Sequence, residues 1–184
     1  MKTMTKALLS IALVSCTLAA SAQMKDPDVG GAAMFPTKTI VENAVNSPVH
    51  TTLVTAVKAA GLVDTLNGPG PFTVFAPTDD AFAKLPAGTV DTLVKPENKA
   101  TLTKVLTYHV VSGRISSKEL MSWIKKGDGK YVMTTLEGGK LTATMSGRDI
   151  VLTDEKGGTA TITTADVFQS NGAIQVVNAV LMPM

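Results

Sequence analysis

Residues 72–82 read Phe-Thr-Val-Phe-Ala-Pro-Thr-Asp-Asp-Ala-Phe, and within this stretch a strand pattern changes directly into a helix pattern. Phe72 to Phe75 alternate aromatic and β-branched residues, which is typical of a strand, and Pro77 ends the pattern. Thr78 carries a hydroxyl suited to a helix N-cap. The two aspartates after it fall in the first helical turn, where the helix dipole favours carboxylates. The stretch therefore predicts a strand joined to a short helix.

The residues on either side predict helices before this stretch and hairpins well after it. Thr39 and Ser116 each begin a capping box, and apolar residues at three- and four-residue spacing indicate several helices between residues 39 and 127. From Tyr131 onward, short runs rich in Thr, Val and Ile alternate with glycine-containing turns, which is typical of an antiparallel sheet or sandwich. Helices first and hairpins later indicate the α+β class.

The N-terminus has the pattern of an export signal. Lys2 and Lys6 precede an apolar run that ends in Ala20-Ser-Ala22, the small-x-small form that signal peptidase reads. We therefore predict a signal peptide over 1–22 with cleavage between Ala22 and Gln23, a flexible leader arm over 23–36, and one domain over 37–184. Cys16 follows Leu-Val-Ser, which resembles a lipobox and leaves open the alternative of a lipoprotein anchored through that cysteine.

Composition excludes several classes of function. The chain has 17 basic and 15 acidic residues, no run of like charge, and aromatic residues make up only 4%. This composition argues against a nucleic-acid-binding surface. The chain has two histidines, a single cysteine within the predicted signal peptide, and no nucleotide fingerprint or nucleophile elbow. We therefore expect no bound metal, no cofactor and no catalysis, and we interpret His109 as a buried structural residue.

Three segments closely resemble the signature motifs of fasciclin domains. Residues 72–82 resemble the first box, Tyr108-His109 the central Tyr-His motif, and residues 171–181 the second box. The resemblance implies a fasciclin-like, wedge-shaped β-sandwich flanked by several short helices. The resemblance also implies a structural role for eight residues of the two boxes: Phe72, Phe75, Thr78, Phe82, Asn171, Gly172, Val177 and Leu181.

The resemblance also implies a non-catalytic role in cell adhesion or in contacts with a matrix or surface, from a secreted or periplasmic location. The implied partner is a protein or polysaccharide, with no nucleic acid, and with a membrane only if Cys16 is lipidated. An alternative function is an envelope carrier or sensor that binds a small ligand or polysaccharide. A third, an unrecognised hydrolase, has no catalytic motif to support it.

Four residues are candidate contacts by this resemblance: Tyr108, His109, Asp166 and Val167. Some animal relatives use an Asp-Ile dipeptide and the Tyr-His region as proposed integrin contacts, but this chain has valine at 167 and asparagine at 178. These departures argue against integrin recognition. We expect His109 and the second box to serve the fold first. We expect substitution of Asp166 to have little effect on stability, provided that its loop faces solvent.

Overall fold

The computed structural model describes residues 26–184. The predicted signal peptide over 1–22, the Ala22–Gln23 cleavage site and Cys16 lie outside these residues and stay predictions.

Short helices occupy most of the first half of the described chain. They are α1 (Ile40–Asn46), α2 (Thr51–Ala60), α3 (Val63–Asn67), α4 (Asp79–Ala83), α5 (Thr89–Leu93), α6 (Lys99–Tyr108) and α7 (Ser117–Lys126), with a 3-10 turn over Pro96–Asn98. The capping boxes predicted at Thr39 and Ser116 are present, because each hydroxyl accepts a backbone N–H and the glutamate three residues on accepts from the cap.

The strands form one mixed sheet. They are β1 (Phe72–Pro77), β2 (Val110–Ser112), β3 (Lys130–Thr134), β4 (Lys140–Ser146), β5 (Asp149–Thr153), β6 (Thr159–Gln169) and β7 (Gly172–Val177). Their order across the sheet is β2-β1-β7-β6-β5-β4-β3. The predicted α+β class is confirmed. The pairing is antiparallel as expected, except that β1 and β7 run parallel, with Phe72 opposite Gly172 and Pro77 opposite Val177.

The central strands β1 and β7 are buried on both faces. Val74 and Ala76 of β1 pack against the layer formed by α1, α2 and α6, whereas Phe75 points to the opposite face, where α7 and the hairpins enclose a second core. Burial on both faces explains why residues 72–77 and 172–177 contain few exposed polar groups. The sheet then curls so far that Leu136 N–H donates to the Val110 carbonyl at 2.7 Å, which nearly closes it into a barrel.

Residues 26–36 do not form the flexible leader arm that the sequence predicts. Val29 and Met34 are 4% and 3% exposed and belong to the core beneath the helices. The Asp26 carboxylate accepts a hydrogen bond from Phe168 N–H, and the Asn43 amide bonds both backbone groups of Phe35. The segment has no periodic pattern because it packs through isolated apolar side chains and not as a helix or strand.

Strand β6 is longer than the sequence predicts. The Thr-rich pattern indicates a strand over 159–163, but β6 continues to Gln169 and includes Asp166 and Val167. Two register shifts against β7 interrupt it, and Asp166 has φ of 60° at the second. Each irregularity reverses which face the next side chain meets, so the alternation by which a strand is recognised is lost.

Candidate interaction site

Tyr108 connects two hairpin turns from inside the domain. It is the last residue of α6, and its side chain is fully buried. The hydroxyl donates to the Lys140 carbonyl at 2.6 Å and accepts from Glu155 N–H at 3.2 Å. Burial raises the pKa of Tyr108 to about 12. The side chain therefore fixes the starts of β4 and of the β5–β6 turn, and offers no surface to a partner.

His109 joins helix α6 to the C-terminal segment. The ring is 2% exposed; Nδ1 lies 2.8 Å from the Val105 carbonyl, and Nε2 accepts from Leu181 N–H at 3.0 Å. Because a carbonyl can only accept and an amide can only donate, the bonds require a neutral ring protonated at Nδ1. Burial lowers the pKa of His109 to about 4. His109 thus holds the chain end against the domain.

Asp166 and Val167 lie in the irregular part of β6, where Asp166 is half-buried and Val167 fully buried. The Asp166 carboxylate accepts from Ser117 N–H at 2.6 Å and from the Ser117 hydroxyl at 2.5 Å, and also from the buried Gln175 amide at 3.2 Å. Asp166 therefore anchors the first turn of α7. The premise that its loop faces solvent is wrong, because the carboxylate is directed at a helix end.

The second box holds the helices onto the sheet. Asn171 Oδ1 accepts from Ile40 N–H at 3.0 Å, and its Nδ2 donates to the Leu66 carbonyl at 2.7 Å, so one side chain links α1, α3 and β7. A Cβ on Gly172 would lie 2.1 Å from the Phe72 carbonyl oxygen, so only glycine allows β7 to approach β1 there. Val177 and Leu181 are fully buried in the second core.

The first box also lies inside the fold. Phe75 and Phe82 are buried, Phe72 is half-buried, and Thr78 caps α4 through Ala81 N–H. Asp79 has a second role, because its carboxylate accepts from Thr51 and Thr52 N–H at the start of α2. Burial raises the pKa of Asp79, but the hydrogen bonds from Thr52 and Thr51 outweigh burial, and the net pKa is lowered.

An open cleft lies where the two edges of the sheet separate. Strands β2 and β3 are the outer strands, and they meet at the single bridge between Val111 and Thr135. Beyond the bridge, residues 111–115 and 131–134 line opposite sides of a cleft of about 380 Å³. Trp123 of α7 completes the lining, with its ring centroid 4.9 Å from that of Tyr131. The cleft therefore combines strand edges with an aromatic pair.

The chain segment that supplies the cleft lining is basic. Residues 111–134 contain five basic side chains and two acidic ones, although acidic residues outnumber basic ones in the rest of the described chain. Arg114 lines the cleft and Lys130 adjoins it, and both are exposed. The Arg114 guanidinium also donates to the Gln169 carbonyl at 2.6 Å, which holds it at the end of β6. This local excess of positive charge favours anionic groups near the cleft.

Within residues 26–184, no group of His, Cys, Asp or Glu side chains is arranged to hold a metal ion. In the same part of the chain, no helix combines the length and apolarity needed to cross a membrane. The expectation of no metal or cofactor stays a prediction.

The architecture defines a class of protein: an α+β domain in which a nearly closed mixed sheet carries short helices on β1 and β7. The Fasciclin domain family model matches residues 48–183, and the chain belongs to that family.

Two curated relatives share much of the chain. It is 46% identical over 159 residues to Protein sll1483 of Synechocystis sp., covering 86% of this chain and 81% of that protein. It is 38% identical over 160 residues to the cell surface glycolipoprotein MPB83 of Mycobacterium bovis, covering 84% of this chain and 64% of that protein.

One solved structure shows the same fold. A FAS1 domain pair from the insect cell adhesion molecule fasciclin I superposes with a TM-score of 0.71 at 19% identity, covering 80% of this chain and 51% of that one. The predicted fasciclin-like fold is therefore confirmed.

The motif residues identify the fold, but they do not lie at the cleft. Tyr108 and His109 are adjacent at the end of α6, whereas Asp166 lies against the start of α7. Sequence reasoning missed residues 111–115 as part of a site. Their sequence contains no chemical motif, and the cleft exists because β2 and β3, far apart in the chain, become the two edges of one sheet.

Proposed function

We propose that this protein is a non-catalytic interaction module of the cell envelope or surface, which contacts a protein or polysaccharide through the cleft between β2 and β3. The observation that carries the proposal is the cleft itself, where an aromatic pair lies beside two strand edges that separate beyond the Val111–Thr135 bridge. A secreted or periplasmic location fits the export signal, with lipid anchoring through Cys16 as the alternative.

The relatives support a surface role. One is a cell surface glycolipoprotein, and the structural match comes from a cell adhesion molecule. The chain spans under two thirds of the former and about half of the latter, so adhesion by this chain is part of the proposal.

The state of the histidines supports a non-catalytic role. Both histidines of the chain are 2% exposed, and burial lowers the pKa of each. The two ring nitrogens of His109 are occupied by structural hydrogen bonds. A general base must reach the proton that it removes, and neither ring lies at an open surface.

The carrier alternative has less support. An apolar cavity between α1, α2 and α3 has a volume of about 20 Å³, which holds roughly one water molecule. Pockets that enclose small ligands are usually about 300–1,000 Å³, and the cleft between β2 and β3 reaches this volume but is open to solvent and does not enclose a ligand. The cavity between the helices therefore does not suit a carried ligand.

The test is attachment of protein-coated beads to envelope preparations of the producing cell. The blocking variant is Ser112→Trp at an exposed cleft position, and the matched control is Ser146→Trp at the exposed last residue of β4. We expect beads coated with the original protein or the control to attach equally, and the number of attached beads to fall at least about tenfold for the blocking variant. Equal attachment of all three would exclude the cleft as the contact, and attachment by none would exclude the adhesive role.

A further inference from the structure

Resting on the proposed function, we propose that the cleft takes up an extended, acidic segment of a partner polypeptide, which pairs with β3 as an added strand. Three features of the cleft favour such a segment: the backbone groups that face it, the exposed Val132 among them, and the basic charge of residues 111–134.

The free edge of β3 presents backbone groups to the cleft. Thr135 N–H bonds the Gly139 carbonyl, and the register places Met133 opposite Leu141 and Tyr131 opposite Ala143. In an antiparallel pair the residues that bond the neighbour alternate with residues that point away. Val132 and Thr134 therefore direct their amides and carbonyls away from β4 and into the cleft.

The edge of β2 follows the same rule from the other side. Gly113 N–H bonds the Pro71 carbonyl, and Phe75 N–H bonds the His109 carbonyl, so Ser112 and Arg114 direct their backbone groups away from β1. The Val110 carbonyl, which has the same orientation, bonds Leu136 N–H where the edges meet. Beyond that bridge the edges separate, and a strand between them would have backbone partners on both sides.

The side chains of β3 indicate what the added strand would carry. Val132 is 48% exposed, and a residue directly opposite it would pack on the same face of the sheet. A residue two positions along the added strand would lie opposite the exposed Lys130. An acidic side chain there would form a cross-strand ion pair, in keeping with the basic excess of residues 111–134. The residues between would face the side of Tyr131 and Trp123.

A pentapeptide matches the five residues of β3, and the probe is acetyl-Glu-Thr-Val-Thr-Glu-amide. Its central valine matches Val132, and a glutamate matches Lys130. Trp123 is the single tryptophan of the chain and lines the cleft, so its fluorescence reports binding. We expect saturable binding to the full chain. We expect at least a tenfold rise in Kd when the central valine amide is N-methylated, because methylation removes a main-chain donor and leaves the side chains unchanged.

Two pairs of protein variants test the same contacts. Val132→Pro removes the N–H that faces the cleft, whereas Val132→Thr keeps it with a side chain of similar shape. We expect at least a tenfold rise in Kd for the first and less than threefold for the second. Lys130→Glu should raise Kd at least fivefold, whereas Lys156→Glu, at an exposed turn away from the cleft lining, should change it less than twofold. The N-methylated peptide needs no variant, so the test survives if Val132→Pro fails to fold.

Several outcomes would overturn the inference. Equal binding of the N-methylated peptide would exclude strand addition, and equal binding of the peptide with lysines in place of both glutamates would exclude an acidic partner. If an oligogalacturonate binds and neither the glutamate nor the lysine peptide does, the cleft is a saccharide site. If the original protein forms a dimer that Val132→Pro dissociates, the segment that occupies the cleft belongs to a second copy of this chain. Bead attachment lost in Ser112→Trp without any peptide binding would retain the proposed function and reject this inference.

Discussion

The bonding of His109 requires its neutral form. Protonation would place an N–H on Nε2, directly facing Leu181 N–H, and would remove the acceptor of that bond. Burial lowers the pKa of the folded protein's His109 to about 4, from an unperturbed value of 6.5. A group with a lowered folded pKa stabilises the protein above its unfolded pKa and loses that contribution as pH falls toward the folded pKa. We therefore expect the free energy of unfolding to fall between about pH 6.5 and 4, by at most on the order of 3 kcal/mol from this residue.

Urea denaturation at several pH values checks this expectation. The pH dependence should be smaller in His109→Gln than in the original protein, whatever the variant's stability at neutral pH. The pKa of His50 is also lowered, mainly by burial, so His50→Gln measures the remaining histidine contribution in the same window. Superimposable pH profiles of the original protein and His109→Gln would contradict the bonding derived for His109.

Tyr108 provides a second prediction at the residue scale. Tyr108→Phe removes a hydroxyl with two backbone partners and leaves the Lys140 carbonyl and Glu155 N–H without it. We expect a loss of about 1–3 kcal/mol in urea denaturation. Tyr131→Phe is the control, because the half-buried Tyr131 hydroxyl makes no hydrogen bond to the described residues, and we expect a change within about 0.5 kcal/mol. Equal effects of the two substitutions would contradict the role of Tyr108.

Sequence could predict that His109 is structural, but not its partners. An apolar neighbourhood in the sequence indicates burial, and buried polar groups are normally bonded. That Leu181 supplies the second bond depends on where the chain end returns, 72 residues later. Asp166 illustrates the same limit, because a carboxylate between Ala165 and Val167 carries no local sign of its partner Ser117, which is 49 residues away.

At the scale of elements, the link between β6 and α7 is testable. Asp166 has φ of 60° and bonds both Ser117 N–H and the Ser117 hydroxyl. Asp166→Gly keeps the backbone conformation accessible but removes the carboxylate, so we expect a loss of about 1–3 kcal/mol. We also expect faster hydrogen exchange in the first turn of α7, measured by mass spectrometry.

Two variants separate this effect from general damage. Asp166→Asn keeps an oxygen acceptor and tolerates a positive φ, so we expect a smaller loss than for Asp166→Gly. Asp149→Ala, at an exposed end of β5, should leave α7 unchanged. If exchange in α7 stays the same in Asp166→Gly, the carboxylate does not anchor that helix.

Local patterns at this scale predicted the regular elements and missed the irregular ones. Capping boxes and apolar spacing identify α1 and α7 because both signals lie within one or two helical turns. The parallel pairing of β1 with β7 joins segments about 100 residues apart, and no local pattern encodes it. The cleft follows from that same topology, because it makes β2 and β3 the edges of the sheet.

At the scale of the whole molecule, the folded unit extends beyond the family match. The match begins at residue 48, yet Val29 and Met34 are buried in the core beneath the helices. The buried Asn43 of α1 depends on Phe35 for its amide bonds. Residues 26–36 are thus part of the domain in packing and in hydrogen bonding.

Deleting residues 26–36 tests this extent of the domain. A chain that begins at Thr37 lacks the buried side chains of Val29 and Met34, whose burial stabilises the fold by about 1.5–3 kcal/mol each. It also leaves the buried Asn43 amide without its hydrogen-bond partners on Phe35. We expect a loss of about 3–6 kcal/mol relative to a chain that begins at Asp26, which is a large part of the stability of an ordinary domain. Met34→Ala should reproduce about 2–5 kcal/mol of it, whereas Phe35→Ala, at a residue 45% exposed, should change stability by about 0.5 kcal/mol or less. Urea denaturation of all four proteins measures these changes. Equal midpoints for the chains that begin at Asp26 and Thr37 would show that residues 26–36 do not stabilise the domain.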